Sequence, residues 1–191
     1  MNFLLSDEQL ALLDTLRSLL GDRCDPRHVH AIFDGDGSFD AELWQSLCAM
    51  GLPAIMVPEA EGGLELKLLD LAIAVELLGE FAAPVPIFGH SMATLAVQLC
   101  GSDAQRAHWL PLLASGEKLA TIAFGEGDSR WLPSEWQLPG GATLSGSKTL
   151  VPHALEADLL VVGTTGGLML VEPGAGVSCV RIDSGDRTRA V

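Results

Sequence analysis

The chain has 191 residues, 48% of them hydrophobic and 19% charged, enough apolar side chain to close a core in one large domain or two small ones. Eleven Lys and Arg stand against 25 Asp and Glu, a net charge of −14, which argues against nucleic-acid phosphates and anionic lipid as partners. The imbalance is −11 over residues 1–100 and −3 over 101–191, so a site for an anionic ligand is expected in the second half.

The first nine residues have no basic stretch followed by a long apolar run, so no signal peptide is expected. The most apolar window, Leu66 to Leu78, is interrupted by Lys67, Asp70 and Glu76 and is too short to span a bilayer. Cys24, Cys48, Cys100 and Cys179 lie far apart with no C-x-x-C pair, which points to free thiols and a cytoplasmic protein.

Ser6 and Gln9 spell a capping box, and Leu12, Leu13, Leu16, Leu19 and Leu20 recur at helical steps after it. Cys24 to Gly37 mixes Pro, Gly and Asp and is expected to be irregular, with at most a helical turn. Ser38 is the expected N-cap of a helix burying Leu43, Trp44 and Leu47, closed by Gly51. Pro53, Pro58 and Gly62-Gly63 then break the chain. Leu69, Ile73, Leu77 and Phe81 mark a helix over Leu66 to Phe81, and a further apolar helix is expected from Ile87 to Leu99. Ser102 to Gln105 repeats the stop-and-cap pattern before Trp109, Leu110 and Leu113. After Gly116 the pattern changes to short β-like runs at 121–124, 142–144, 159–162, 168–171 and 177–180, punctuated by Gly, Pro and Asp. Helices followed by strands imply an α domain joined to a β domain.

The chemistry-bearing residues form no constellation of their own. His28 and His30 stand near Cys24, Asp25 and Asp34 but lack a second ligand cluster at metal spacing, so no metal site is assigned. No G-x-S-x-G elbow is present. Gly141 to Thr149 nearly spells a P-loop, but Ser147 separates Gly146 from Lys148, and the strand-rich context suggests a hairpin arm with a solvated lysine. Gly163 to Gly167 reads as a hairpin turn.

An ordered series of segments resembles the acyl-CoA dehydrogenase family. The series is Phe39 to Trp44 with Met50-Gly51-Leu52; Val57-Pro58-Glu59 leading to Gly62-Gly63-Leu64; Glu76 to Gly79; Gly101 to Gln105; Trp109-Leu110-Pro111; Ala114 to Glu117; Leu144 to Thr149; and Ala157 to Val161. Each motif is weak alone, and their shared order, over about Leu5 to Val191, carries the resemblance. It implies an α+β chain: an N-terminal all-α helical domain at 1–117, then an antiparallel β-barrel or sandwich domain at 118–191, the family's first two domains. It implies further that the family's C-terminal helical domain, with the catalytic glutamate and much of the adenine-side FAD contact, is not among these residues. The chain alone is therefore expected to be inactive, to expose apolar faces, and to work with that domain or a partner subunit as a homo- or hetero-oligomer.

The family's reaction is α,β-desaturation of an acyl-CoA thioester, an oxidoreductase step of fatty-acid metabolism with FAD as hydride acceptor. The resemblance assigns the flavin face to Ile122, Phe124, Gly125 and Ser129, together with Leu150 and Pro152, and the acyl pocket to Phe88, His90, Ser91 and Met92. It assigns no catalytic residue here. Gly125 replaces the family's Thr, Leu150 its flavin-packing Trp and Pro152 its hydroxyl residue, so FAD binding is expected to be weak or lost. Restoring all three by Gly125→Thr, Leu150→Trp and Pro152→Thr is expected to tighten it ~10–100-fold. Three readings follow: part of an FAD-dependent acyl-CoA dehydrogenase-like protein, a non-catalytic subunit of a heteromeric acyl-CoA dehydrogenase, or a flavin monooxygenase or oxidase relative on the same fold.

Overall fold

The computed structural model describes residues 4–35 and 39–182. The capping box forms as the sequence predicts. The Ser6 hydroxyl accepts the Gln9 N–H while the Gln9 side chain accepts the Ser6 N–H, opening α1 (Asp7–Arg23). The expected irregular stretch instead contains α2 (Pro26–Asp34). Asp25 accepts from the Arg27 and His28 amides, and Pro26 stands where its missing N–H is no loss. Asp40 caps α3 (Ala41–Ala49) by accepting the Leu43 N–H; Ser38, the expected cap, lies outside the described residues.

Two short 3-10 turns carry the chain to α4 (Leu68–Glu80). Just after the second turn a Cβ on Gly63 would run into the Val57 carbonyl, and Gly62 has φ +83°, so the chain requires both glycines there. Next come α5 (Ile87–Cys100) and α6 (Asp103–Ala114), the latter opened by the Ser102–Gln105 capping box.

Leu16, Leu20, Leu43 and Leu47 are wholly buried in a cluster that α1 and α3 share with α4, each contributing ~1.5–3 kcal/mol of burial. A second cluster joins Val97 and Leu110 to Leu159 and Val161 and so seats α5 and α6 on the sheet.

The described β region holds three strands in the order β1 (Ala120–Ala123), β2 (Leu159–Thr164), β3 (Gly167–Val171). β2 and β3 are antiparallel through the predicted turn, Thr164 pairing with Gly167. β1 runs parallel to β2, from Ala120 against Leu159 to Ala123 against Val162. A parallel pair needs a long crossover, and residues 124–158 supply it. Asp158 fixes its end: its carboxylate accepts the Leu119 N–H at 2.9 Å and pairs with Lys118 at 2.9 Å. The runs at 142–144 and 177–180 form no strand; Gly141 and Gly146 bracket the first and leave too few residues for a ladder. Residues 183–191 of the expected β domain lie outside the described residues.

All four cysteines are free thiols. No helix among the described residues is long and apolar enough to cross a membrane.

Candidate functional site

Two stretches of the crossover meet at the end of β1. Past Ala123, the Glu126 N–H donates to the Arg130 carbonyl at 3.0 Å, and a tight turn over Gly127–Ser129, with Ser129 at φ +62°, folds the chain back on itself. Trp131 thereby returns beside Gly125. The second stretch joins through the Thr149 N–H, which donates to the Gly125 carbonyl at 2.8 Å.

Glu126 and Lys148 lock this junction. Their charges meet at 2.7 Å with both side chains 7% exposed. The Glu126 carboxylate also accepts the Gln137 and Leu138 amides at 2.8 and 3.1 Å, and the Lys148 ammonium stands 5.2 Å over the Trp136 ring. The hydrogen bond from Lys148, reinforced by those two amides, outweighs desolvation and holds the Glu126 carboxyl down at about 2. The solvated lysine expected from the sequence is therefore corrected. Its partner is 22 positions away, and no local pattern joins them.

The second stretch continues in strained backbone: Leu150 has φ +54° and His153 φ +52°. Leu150 is half exposed, whereas His153 is buried with its ring edge-on to Phe39 at 5.7 Å. Leu150, Pro152 and His153 form one wall of a cavity of about 790 Å³, whose other walls come from α2, α4 and the start of α5 and include Phe33, Leu78 and Phe88. Among the described residues that line it, His30 and His153 are the titratable groups and none is a carboxylate, in a chain carrying 25 of them.

The residues assigned to the acyl pocket separate. Phe88 lines the cavity, 57% exposed. His90 is wholly buried elsewhere: Nε2 donates to the Leu113 carbonyl at 3.0 Å and Nδ1 accepts the Ala120 N–H at 3.3 Å. Burial pushes its pKa down to about 4, so the neutral ring joins α6 to β1 through α5 and is not part of the cavity wall. Ser91 and Met92 are also absent from the lining, and Phe88, Met92 and Leu99 leave an exposed apolar face along α5. Of the flavin-face assignments, Ile122 is half-buried on β1 opposite Val161, and Phe124 tilts against Trp136 at 5.2 Å. Ser129 is exposed at the turn.

His28 and His30 do not converge. His28 Nε2 bonds to Asp40 at 2.7 Å, whereas His30 faces the cavity. No group of three metal-ligating side chains occurs among the described residues. The sequence does not single out Trp131, Lys148 or His153 as site residues; what points to this junction is the family resemblance, through the flavin-face stretches 122–129 and 149–153 and the strand at 144–149.

The junction is a poor fit for a flavin ring. A Cβ on Gly125 would lie 2.5 Å from the Thr149 carbonyl oxygen and 3.0 Å from the Trp131 ring, so the Gly125→Thr restoration has no room. Pro152 has no N–H to give. Leu150 brings no aromatic face.

A family model for the acyl-CoA dehydrogenase N-terminal domain matches residues 6–117. Acyl-CoA dehydrogenase IpdE2 of Mycolicibacterium smegmatis is 32% identical over 121 residues, 63% of this chain and 38% of that protein. Among solved structures, a Tcur3481–Tcur3483 steroid ACAD variant superposes with TM-score 0.87 at 29% identity, over 96% of this chain and 53% of that one. The ChsE4–ChsE5 complex of Mycobacterium tuberculosis gives TM-score 0.81 at 26% identity, over 95% and 52%. The chain thus spans about half the length of these solved relatives and less of the curated one.

Proposed function

Because the chain belongs to the acyl-CoA dehydrogenase family, we propose that it supplies the N-terminal and middle portions, residues 1–117 and 118–191, of an acyl-CoA dehydrogenase-like protein. Its cavity between α2, α4, α5 and the 150–153 loop receives the acyl group of a CoA thioester. The cavity carries this reading: about 790 Å³, walled by aliphatic and aromatic side chains with no carboxylate among the described lining residues, in a strongly acidic chain. That volume suits a bulky, ring-bearing acyl group, in keeping with a similar solved structure that is a steroid ACAD. Desaturation must remove a proton from Cα and a hydride from Cβ. No carboxylate among the described lining residues can take the proton, so the base is to be sought outside them.

A second reading, a non-catalytic subunit in a heteromeric assembly, is favoured by the crowding at Gly125 and the missing donor at Pro152. The exposed face of α5 gives a partner an apolar surface to cover, and ChsE4–ChsE5 is such a complex of two chains. Free thiols fit a reducing compartment, and we place the protein in the cytoplasm.

Gly79 provides the test. It lines the cavity, and a Cβ there meets nothing within 4 Å. Gly79→Leu should fill the mouth while strengthening α4 by ~0.5–1 kcal/mol. Calorimetric titration with a ring-bearing acyl-CoA should read a loss of about tenfold in affinity beside an unchanged or raised Tm. Equal affinity in both proteins would remove the cavity from the acyl site.

A further inference from the structure

The side-chain direction at Gly125 is already taken by a ring from this chain. A Cβ built there points to within 3.0–3.1 Å of two atoms of the six-membered ring of Trp131. Three features hold the indole in that place. The Glu126–Arg130 bridge closes the turn, Ser129 adopts a left-handed backbone to complete it, and the Glu135 carboxylate accepts the Trp131 N–H at 3.1 Å. Glu135 also accepts the Leu132 N–H at 3.1 Å, so the residues on the return path are fixed and Trp131 is not a loop tip.

We propose that Trp131 is a built-in plug, its indole occupying the place beside Gly125 where a flavin ring would lie, so that this chain does not hold FAD on its own. The inference rests on reading 122–129 and 149–153 as the flavin-facing stretches, and it explains their departures together. Glycine at 125 is what lets the indole approach. With the ring position filled, position 150 has no flavin for an aromatic side chain to pack on, and position 152 has none to receive a hydrogen bond, so Leu and Pro are tolerated there. An indole is a flat aromatic surface of the kind an isoalloxazine would otherwise present to this wall, and its burial against Gly125 stabilises the turn in the absence of cofactor.

The test is an FAD titration of the full-length protein, followed by the anisotropy of FAD fluorescence, with Trp131→Ala and Trp131→Phe alongside wild type. Wild type should purify colourless and show no saturation at micromolar FAD. Trp131→Ala should bind FAD about tenfold tighter than wild type or better, and Trp131→Phe, which keeps a ring in place, should stay close to wild type. A wild type that carries stoichiometric FAD, or a folded Trp131→Ala no tighter than wild type, overturns the proposal.

A second measurement needs no variant. Trp44, Trp109 and Trp136 are buried, whereas Trp131 is 44% exposed, so acrylamide quenching reports chiefly on Trp131. Added FAD should leave that quenching unchanged. Protection by FAD would make Trp131 a stacking platform for the cofactor and reject the plug. Acyl-CoA binding, measured on the same samples, should not respond to Trp131→Ala. Failure of wild type to bind any acyl-CoA would sink the acyl-site reading, while the FAD titration still decides this one.

Discussion

The helical region and the 124–158 crossover are held together by different means. Each of α1, α3 and α6 opens on its own side-chain cap, and their leucines are buried in cores shared among many residues. The crossover contains no helix longer than one turn. It hangs on one buried ion pair and carries three of the five described non-glycine residues with positive φ, Ser129, Leu150 and His153. Distributed packing should lose stability by increments, whereas a lock should fail at one point. The helical region, which lends α2, α4 and α5 to the cavity, is thus the robust part, and the crossover, which carries positions 125, 150 and 152, is the fragile one.

Lys148→Met breaks the lock and should have the largest effect. It leaves the Glu126 carboxylate buried without its cation, and the Tm should fall by on the order of 10 °C. The double variant Lys148→Met, Glu126→Leu should recover much of that loss, because two apolar side chains need no partner. A single variant that melts like wild type would show that the crossover is held elsewhere.

His90 comes next, and it sits in the robust half. Its folded pKa, about 4, lies below the ordinary 6.5. Between those values the unfolded chain takes up a proton that the folded chain refuses. Stability is therefore intact above pH 6.5 and falls as pH drops toward 4, by about 3 kcal/mol in all. The Glu126 contribution, present above its ordinary 4.5, goes only as pH falls further toward about 2. Urea melts at pH 7 and pH 5 should show the first loss in wild type and not in His90→Leu. That variant should itself start ~2 kcal/mol lower at pH 7, with the Ala120 amide left without its acceptor and the Leu113 carbonyl keeping the Gly116 N–H.

Gly125→Ala asks the crossover to admit one methyl group against the Thr149 carbonyl and the Trp131 ring, and should cost ~1–2 kcal/mol. Combining it with Trp131→Ala should relieve the part due to the ring, which a double-mutant cycle reads directly. Ser102→Ala should have the smallest effect, about 1 kcal/mol, with its loss confined to the first turn of α6 by hydrogen exchange. A larger change there would mean that the helical region is less incremental than its packing suggests.

The sequence announced what depends on neighbours three or four residues apart. The boxes at Ser6 and Ser102 and the leucine steps of α1 placed two helices closely. α2 is hidden in the sequence because Pro26 and the aspartates around it resemble breakers, although Asp25 before Pro26 is a sound helix start. Strands β2 and β3 were legible as apolar runs around a glycine turn, while 142–144 imitated them without enough chain to pair. The site was the least legible part. Glu126 meets Lys148 across 22 positions, and Trp131 meets Gly125 only because a left-handed serine closes the turn between them. The departures at 125, 150 and 152 were visible, but the indole filling the gap was not.

The parallel pairing of β1 with β2 has a consequence for how such a chain diversifies. Pairing in parallel forces everything between the two strands into one excursion, and both ends of that excursion are anchored by the ladder and by Asp158. The entropy of closing a loop grows only logarithmically, at about 0.6 kcal/mol for each doubling of its length. Residues can therefore be deleted from or inserted into the excursion without shifting the register of either strand. A cofactor cradle can be worn away, plugged or rebuilt there by successive small lineage changes while the architecture beneath it is inherited unaltered.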